Sequence, residues 1–239
     1  MMRALGVLLA CVWLLTAPAQ AATTIFDDTF TGGAGALTSH TPDTGTSWTA
    51  LNVSGVSISL DGSGSISDNG PGAATYAYYT ANATYPTADY DVTVTFSAMN
   101  TACATTRMAG ILGRIQDASN YYLAWIECDA SATNAIRIYK VVAGTSTKIS
   151  GAEDVTSAAN DIYVFEFRGS AIGLKRNGSY VINPITDTAI SAAGKAGYGV
   201  GDFGTETGAA APGSNIAATQ FTVNYTPAGT MRRKPVVFQ

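Results

Sequence analysis

Flat aromatic rings beside an arginine, on one exposed face of a strand, are the residue types that grip a sugar. The rings cover its C–H faces and the polar groups reach its hydroxyls. Gly110–Gly144, GILGRIQDASNYYLAWIECDASATNAIRIYKVVAG, carries such a group in Tyr122, Arg137 and Tyr139, with Trp125 and Arg114 as secondary candidates. The plainer alternative is that the tyrosines only cover a sheet and Arg137 is a solvated charge.

Other chemistry-bearing residues form weaker sets. Glu127 and Asp129 flank Cys128 at a strand end, Glu166 stands alone between Phe165 and Phe167, and Asp202 and Glu206 fall in a Gly-rich loop. His40 and Asp43 lack a nucleophile signature, so a structural loop is the better reading. Cys103 and Cys128 make no zinc set without a neighbouring histidine. A catalytic thiol is weaker still, because His40 is the only histidine and lies far away in sequence. In an exported protein these two cysteines are expected to pair as a disulfide.

The elements that must hold the aromatic group read as three strands of an antiparallel meander. Asp117–Asn120 and Asp129–Asn134 supply the polar loops between Ile111–Ile115, Tyr121–Glu127 and Ile136–Val142. The loops recur too soon for stable helices. The expected register buries Leu112, Leu123, Trp125, Ile136 and Ile138. It turns Tyr122, Ala124, Ile126, Arg137, Tyr139 and Val141 toward solvent, and a one-residue slip would exchange the two sets.

Short strands with turn residues between them continue on both sides. Tyr90–Ala98 alternates cleanly, with Val92, Val94 and Phe96 on one face. Tyr163, Phe165 and Phe167 share a face in Asp161–Arg168, and Phe221 and Val223 share one in Ile216–Thr226. Lys195–Phe203 has glycine at alternate positions, where a backbone or ligand can come close. The pattern as a whole predicts an all-β fold, a two-sheet antiparallel sandwich or jelly roll.

Met1–Ala21 has one arginine, a short apolar run and a small-residue end, the layout of a secretory signal peptide cut after about Ala21. The run is too short to span a bilayer. Residues 22–226 then form the domain, and 227–239 a tail with the basic cluster Met231–Lys234. That tail is expected to be flexible, or alternatively to dock on a neighbouring chain and assemble copies. The formal net charge is −4 and becomes one unit more negative without Arg3, which argues against nucleic acid as a partner. No span is expected in the mature chain.

Six segments resemble concanavalin A-like, or laminin G-like, lectin and glucanase domains of exported bacterial and phage structural proteins. They are TIFDDTF, HTPDTGTSW, GRIQDASNYYLAW, IRIYKVVAG, VFEFRGSAIGLKRNG and GKAGYGVG. The resemblance implies two large sheets, one curved, with TIFDDTF beside TQFTVNY, and sugar bound on the concave sheet or rim loops. It also implies that a structural calcium could sit near Asp27, Asp28 and Asp202; no other cofactor is expected. Enzymes of the group carry an ExDxxE-type run, whose alternate carboxylates suit an acid and a nucleophile about 5–5.5 Å apart. No such run exists here, which leans against catalysis. The expected function is a secreted, non-catalytic carbohydrate-binding or adhesion module. A structural cell-surface or virion component, and a glycoside hydrolase or lyase of the same fold, are the alternatives.

Overall fold

Val92, Val94 and Phe96 alternate with Thr93, Thr95 and Ser97, and all three apolar side chains are fully buried. The strand they form is the seventh of sixteen in a computed structural model that describes residues 21–68, 75–99, 107–128, 135–153, 157–202 and 216–227. The signal segment, Cys103 and the basic tail lie outside the described residues, so the expected disulfide does too. Among the described residues no helix is long and apolar enough to cross a membrane.

One antiparallel sheet has nine strands. It runs β14 (Ser179–Thr186), β13 (Ala171–Arg176), β12 (Ile162–Arg168), β7 (Asp91–Met99), β16 (Ile216–Tyr225), β5 (Ile66–Asp68), β4 (Ile58–Leu60) and β2 (Gly35–Ala36). β1 (Thr23–Asp28) shares an edge of β16, with Phe26 opposite Val223 and Asp28 opposite Phe221. TIFDDTF and TQFTVNY are therefore neighbours, as expected. The second sheet has seven strands: β11 (Thr145–Glu153), β10 (Ala135–Val142), β9 (Asn120–Cys128), β8 (Arg107–Asp117), β15 (Lys195–Asp202), β6 (Thr75–Asn82) and β3 (Ser47–Ser54).

The sheets face each other across one apolar core. Phe26, Phe96, Tyr163, Phe165, Phe167, Phe221 and Val223 come from the nine-stranded sheet; Ala109, Ile111, Tyr122, Ala124, Ile126, Ile136, Ile138 and Tyr198 come from the other. Period-2 strands bury one face each, and burial of that much apolar surface drives the assembly. The expected all-β sandwich is what forms.

The register of the meander differs from expectation by one residue. Trp125 stands opposite Arg137 and Leu123 opposite Tyr139, while Ile126 pairs with Ile136 and Ala124 with Ile138. Tyr122, Ala124 and Ile126 thus face the core with Ile136 and Ile138. Leu123 and Trp125 move to the outer face with Arg137 and Tyr139. The physical reason is that both faces of these strands are apolar, so alternation shows that two sets exist without saying which one meets the other sheet.

Candidate functional site

A second apolar cluster lies on the outer face of the seven-stranded sheet: Tyr78, Met108, Leu112, Ile115, Tyr121, Leu123, Trp125 and Val141, with Tyr76, Tyr139 and Leu51 against it. Glycines make room for it. A Cβ on Gly110 would come within 2.9 Å of Leu123 Cδ1 and 3.2 Å of the Trp125 ring, and one on Gly199 within 2.4 Å of the Tyr78 ring. The close approach expected at the alternating glycines of β15 is thus made by the protein itself, by the Tyr79 carbonyl at Gly197 and by the Tyr78 ring at Gly199. Tyr78 packs 5.9 Å from Trp125 and 6.1 Å from Tyr121, and stacks on Tyr76 at 5.2 Å. Burial pushes the Tyr121 hydroxyl up to about 12, and Tyr78 higher still. Both stay neutral hydrogen-bonding phenols at ordinary pH.

At one side of this floor a groove of about 240 Å³ opens, lined by Met108, Trp125, Glu127, Arg137, Tyr139 and Ser146. Three of the five candidate residues, Trp125, Arg137 and Tyr139, therefore meet in one groove. Arg137 pairs with Glu127, and both side chains remain partly accessible. Gly151, opposite Arg137 on β11, gives the arginine's stem room to lie across that strand. The arrangement offers apolar rings, guanidinium donors, a carboxylate acceptor and a hydroxyl within one small concavity.

Tyr122 and Arg114 are elsewhere. Tyr122 is fully buried and donates to Asp187 Oδ1 at 2.6 Å, while its hydroxyl accepts from Ile190 N at 3.1 Å. Lys140 Nζ holds the other oxygen of Asp187 at 2.7 Å. Burial, reinforced by the Asp187 hydrogen bond, pushes the Tyr122 hydroxyl up to about 12.

Arg114 takes a left-handed backbone (φ +48°) in the bulged stretch of β8 between Gly113 and Asp117, which points its side chain inward. Its guanidinium sits 5.0 Å over the Phe167 ring and donates to Ala88 O (3.0 Å), Ile190 O (3.1 Å) and Gly169 O (2.6 Å). This is a buried clamp joining three loops, with no contact to solvent ligands. Nothing in the residue pattern announced the bulge.

Among the described residues the candidate carboxylates are also dispersed; Asp129, Glu206 and the Asp202 side chain lie outside them. Glu166 lies on the outer face of the nine-stranded sheet, on the opposite side of the sandwich from Glu127. Burial works to raise the pKa of Glu166, but hydrogen bonds from Lys175 and Tyr180 outweigh that and hold it below the usual carboxylate range. A general acid needs the opposite shift. His40 turns to Asp28 (2.9 Å), not Asp43, which caps Thr29 through its backbone N–H at 2.8 Å and its hydroxyl at 2.7 Å. Asp28 is buried and also accepts from Phe30 N and Trp48 Nε1. Asp27 projects to the other side of β1 and accepts from Thr222 and Gln220. Asp28 is saturated by protein donors, so this pair does not fit a shared calcium ion. Among the described residues no three His, Cys, Asp or Glu gather at metal-binding distance.

The fold and groove together define a concanavalin A-like jelly roll with an aromatic outer sheet face. Among solved structures the chain is similar to the carbohydrate-binding module CBM66 from Bacillus subtilis (16% identity, TM-score 0.50, 73% of this chain and 91% of that one). It is similar to the CBM2 module of the Lactobacillus casei BL23 phage J-1 evolved Dit (12%, 0.52, 88% and 99%). It is also similar to the calcium-bound exoplasmic/lumenal domain of VIP36 (9%, 0.53, 79% and 87%). At such identities the likeness is one of fold. The sequence matches no protein family and no curated protein.

Proposed function

We propose that this chain is an exported, non-catalytic carbohydrate-binding or adhesion module, taking glycan in the groove of Trp125, Arg137 and Tyr139. The observation that carries this reading is their convergence. Three residues from two adjacent strands, chosen for sugar chemistry, line one concavity together with Glu127 and Ser146. Rings to cover C–H faces and a few convergent polar groups are what such a site requires. Carbohydrate-binding modules and a carbohydrate recognition domain among the structural neighbours support it. The layout of Met1–Ala21 supports export, and the separation of Glu127 from Glu166 supports a binding role over hydrolysis.

A glycan array probed with the purified chain tests the reading. Defined hits that disappear in both Trp125→Ala and Tyr139→Ala, read at a temperature where each variant is folded, are the expected result. Absence of hits, or hits indifferent to both changes, would favour the reading as a structural surface component without a small ligand.

A further inference from the structure

Lys148 stands directly across the β10–β11 pair from Tyr139, so the two side chains share the outer face at the rim of the groove. It is exposed. Among the described lysine and arginine side chains it alone has no hydrogen-bond or ion-pair partner. Arg137 has Glu127, Lys140 has Asp187, Arg168 has Asp91, Lys175 has Glu166 and Arg176 has Asp161. Arg114 has its carbonyls and Lys195 has Asn82. In a chain where only 13% of residues are charged and the net charge is −4, nearly every described cation is thus engaged.

Within the groove, Arg137 and Glu127 cancel. Lys148 leaves the described side chains of groove and rim with one uncompensated positive charge, across the strand pair from Tyr139. We infer that the groove takes an acidic glycan, one whose carboxylate, sulfate or phosphate reaches Lys148 while a sugar ring rests on Tyr139 and Trp125. The inference rests on the glycan-binding reading above and names its ligand class. A point-charge ammonium on a flexible stem suits an anion whose position varies with the sugar's linkage, whereas the paired Arg137 suits hydroxyls held at fixed distance.

The test uses the full chain on an array with four arms: neutral glycans, uronate- or sialate-bearing glycans, their carboxyl-reduced counterparts, and sulfated or phosphorylated glycans. Hits are expected in an acidic arm. If the carboxylate arm binds and its reduced counterpart does not, the anion is a carboxylate; binding in the last arm makes it a sulfate or phosphate. Lys148→Gln should weaken such a hit about fivefold, Lys148→Arg should retain it, and raised salt should mimic the Gln variant. Neutral hits that vanish in Trp125→Ala but ignore Lys148→Gln would overturn this inference and leave the groove reading standing. Hits that ignore Trp125→Ala and Tyr139→Ala would remove the groove reading and this inference together.

Discussion

Trp48 Nε1 donates to Asp28 Oδ2 at 2.6 Å, and both side chains are sealed from solvent. The same carboxylate accepts from Phe30 N at 2.8 Å and His40 Nε2 at 2.9 Å through its other oxygen. Trp48 meanwhile packs at 5.0 Å from both Phe26 and Phe221. One buried anion therefore ties β1, the turn after it, the His40 loop and β3 to the core. Satisfied charge-assisted bonds of this kind stabilise modestly, but orphaned partners cost far more.

Asp28→Asn should then destabilise the chain by about 2–3 kcal/mol, because an amide nitrogen replaces an acceptor that faces donors. Trp48→Phe, which orphans only Oδ2 and loses some packing, should cost about 1–3 kcal/mol. Urea unfolding checks both. The midpoint should fall with the slope unchanged.

Arg114→Met separates scaffold from site. Three carbonyls lose their donor, at a cost of about 3 kcal/mol or more. Glycan affinity of the folded fraction should stay within twofold of the parent, roughly 0.4 kcal/mol. Calorimetric titration at a temperature where the variant is folded reads the affinity; a large loss would return Arg114 to the binding site.

Gly110→Ala addresses the groove floor. The added methyl presses on Leu123 Cδ1 at 2.9 Å and the Trp125 ring at 3.2 Å, so Leu123 must move and the ring beside it give by a few tenths of an ångström. Overpacking costs about 1 kcal/mol of stability. Glycan affinity should drop about tenfold, or 1.4 kcal/mol, with tryptophan fluorescence reporting the displaced ring.

The Tyr122–Asp187–Lys140 network makes stability depend on pH at both ends. Bonds from Lys140, Tyr122 and Ala189 N overcome burial and hold the Asp187 carboxyl below its ordinary value. A depressed carboxylate contributes stability above its unfolded value of about 4, and loses it as pH falls through the lower folded value. Tyr122, raised to about 12, contributes in the other direction. Its stabilisation is full below about pH 10 and is lost as pH rises toward the folded value. Melting temperature against pH should fall on both limbs; Asp187→Asn should make the acid limb shallower and Tyr122→Phe the alkaline one, each by its own share, since other carboxylates and buried tyrosines are shifted in the same directions.

The architecture was legible because strand pattern is local. Val92, Val94 and Phe96 alternate with polar neighbours, and Asn177-Gly178 turns between two runs, so each segment announces its own conformation. That TIFDDTF lies beside TQFTVNY was implied by the resemblance to concanavalin A-like domains, not by the local pattern. The site was legible by residue type only. Trp125, Arg137 and Tyr139 meet in one groove, whereas the pattern placed the buried Tyr122 with Arg137 and Tyr139 and assigned Trp125 to the core.

Sequence by itself determined that this chain is a sandwich of short antiparallel strands, and that its middle meander carries rings and an arginine. Only the tertiary structure decided which face of that meander meets the other sheet. Both faces are apolar, so hydrophobicity does not vote between the two parities; the pairing of β9 with β10 does, and every side chain follows it. The bulge that turns Arg114 inward, the carboxylate of Asp28 closing over Trp48, and the pairing of Lys148 with Tyr139 all arise between residues distant in sequence or from a single backbone reversal, which local pattern does not encode.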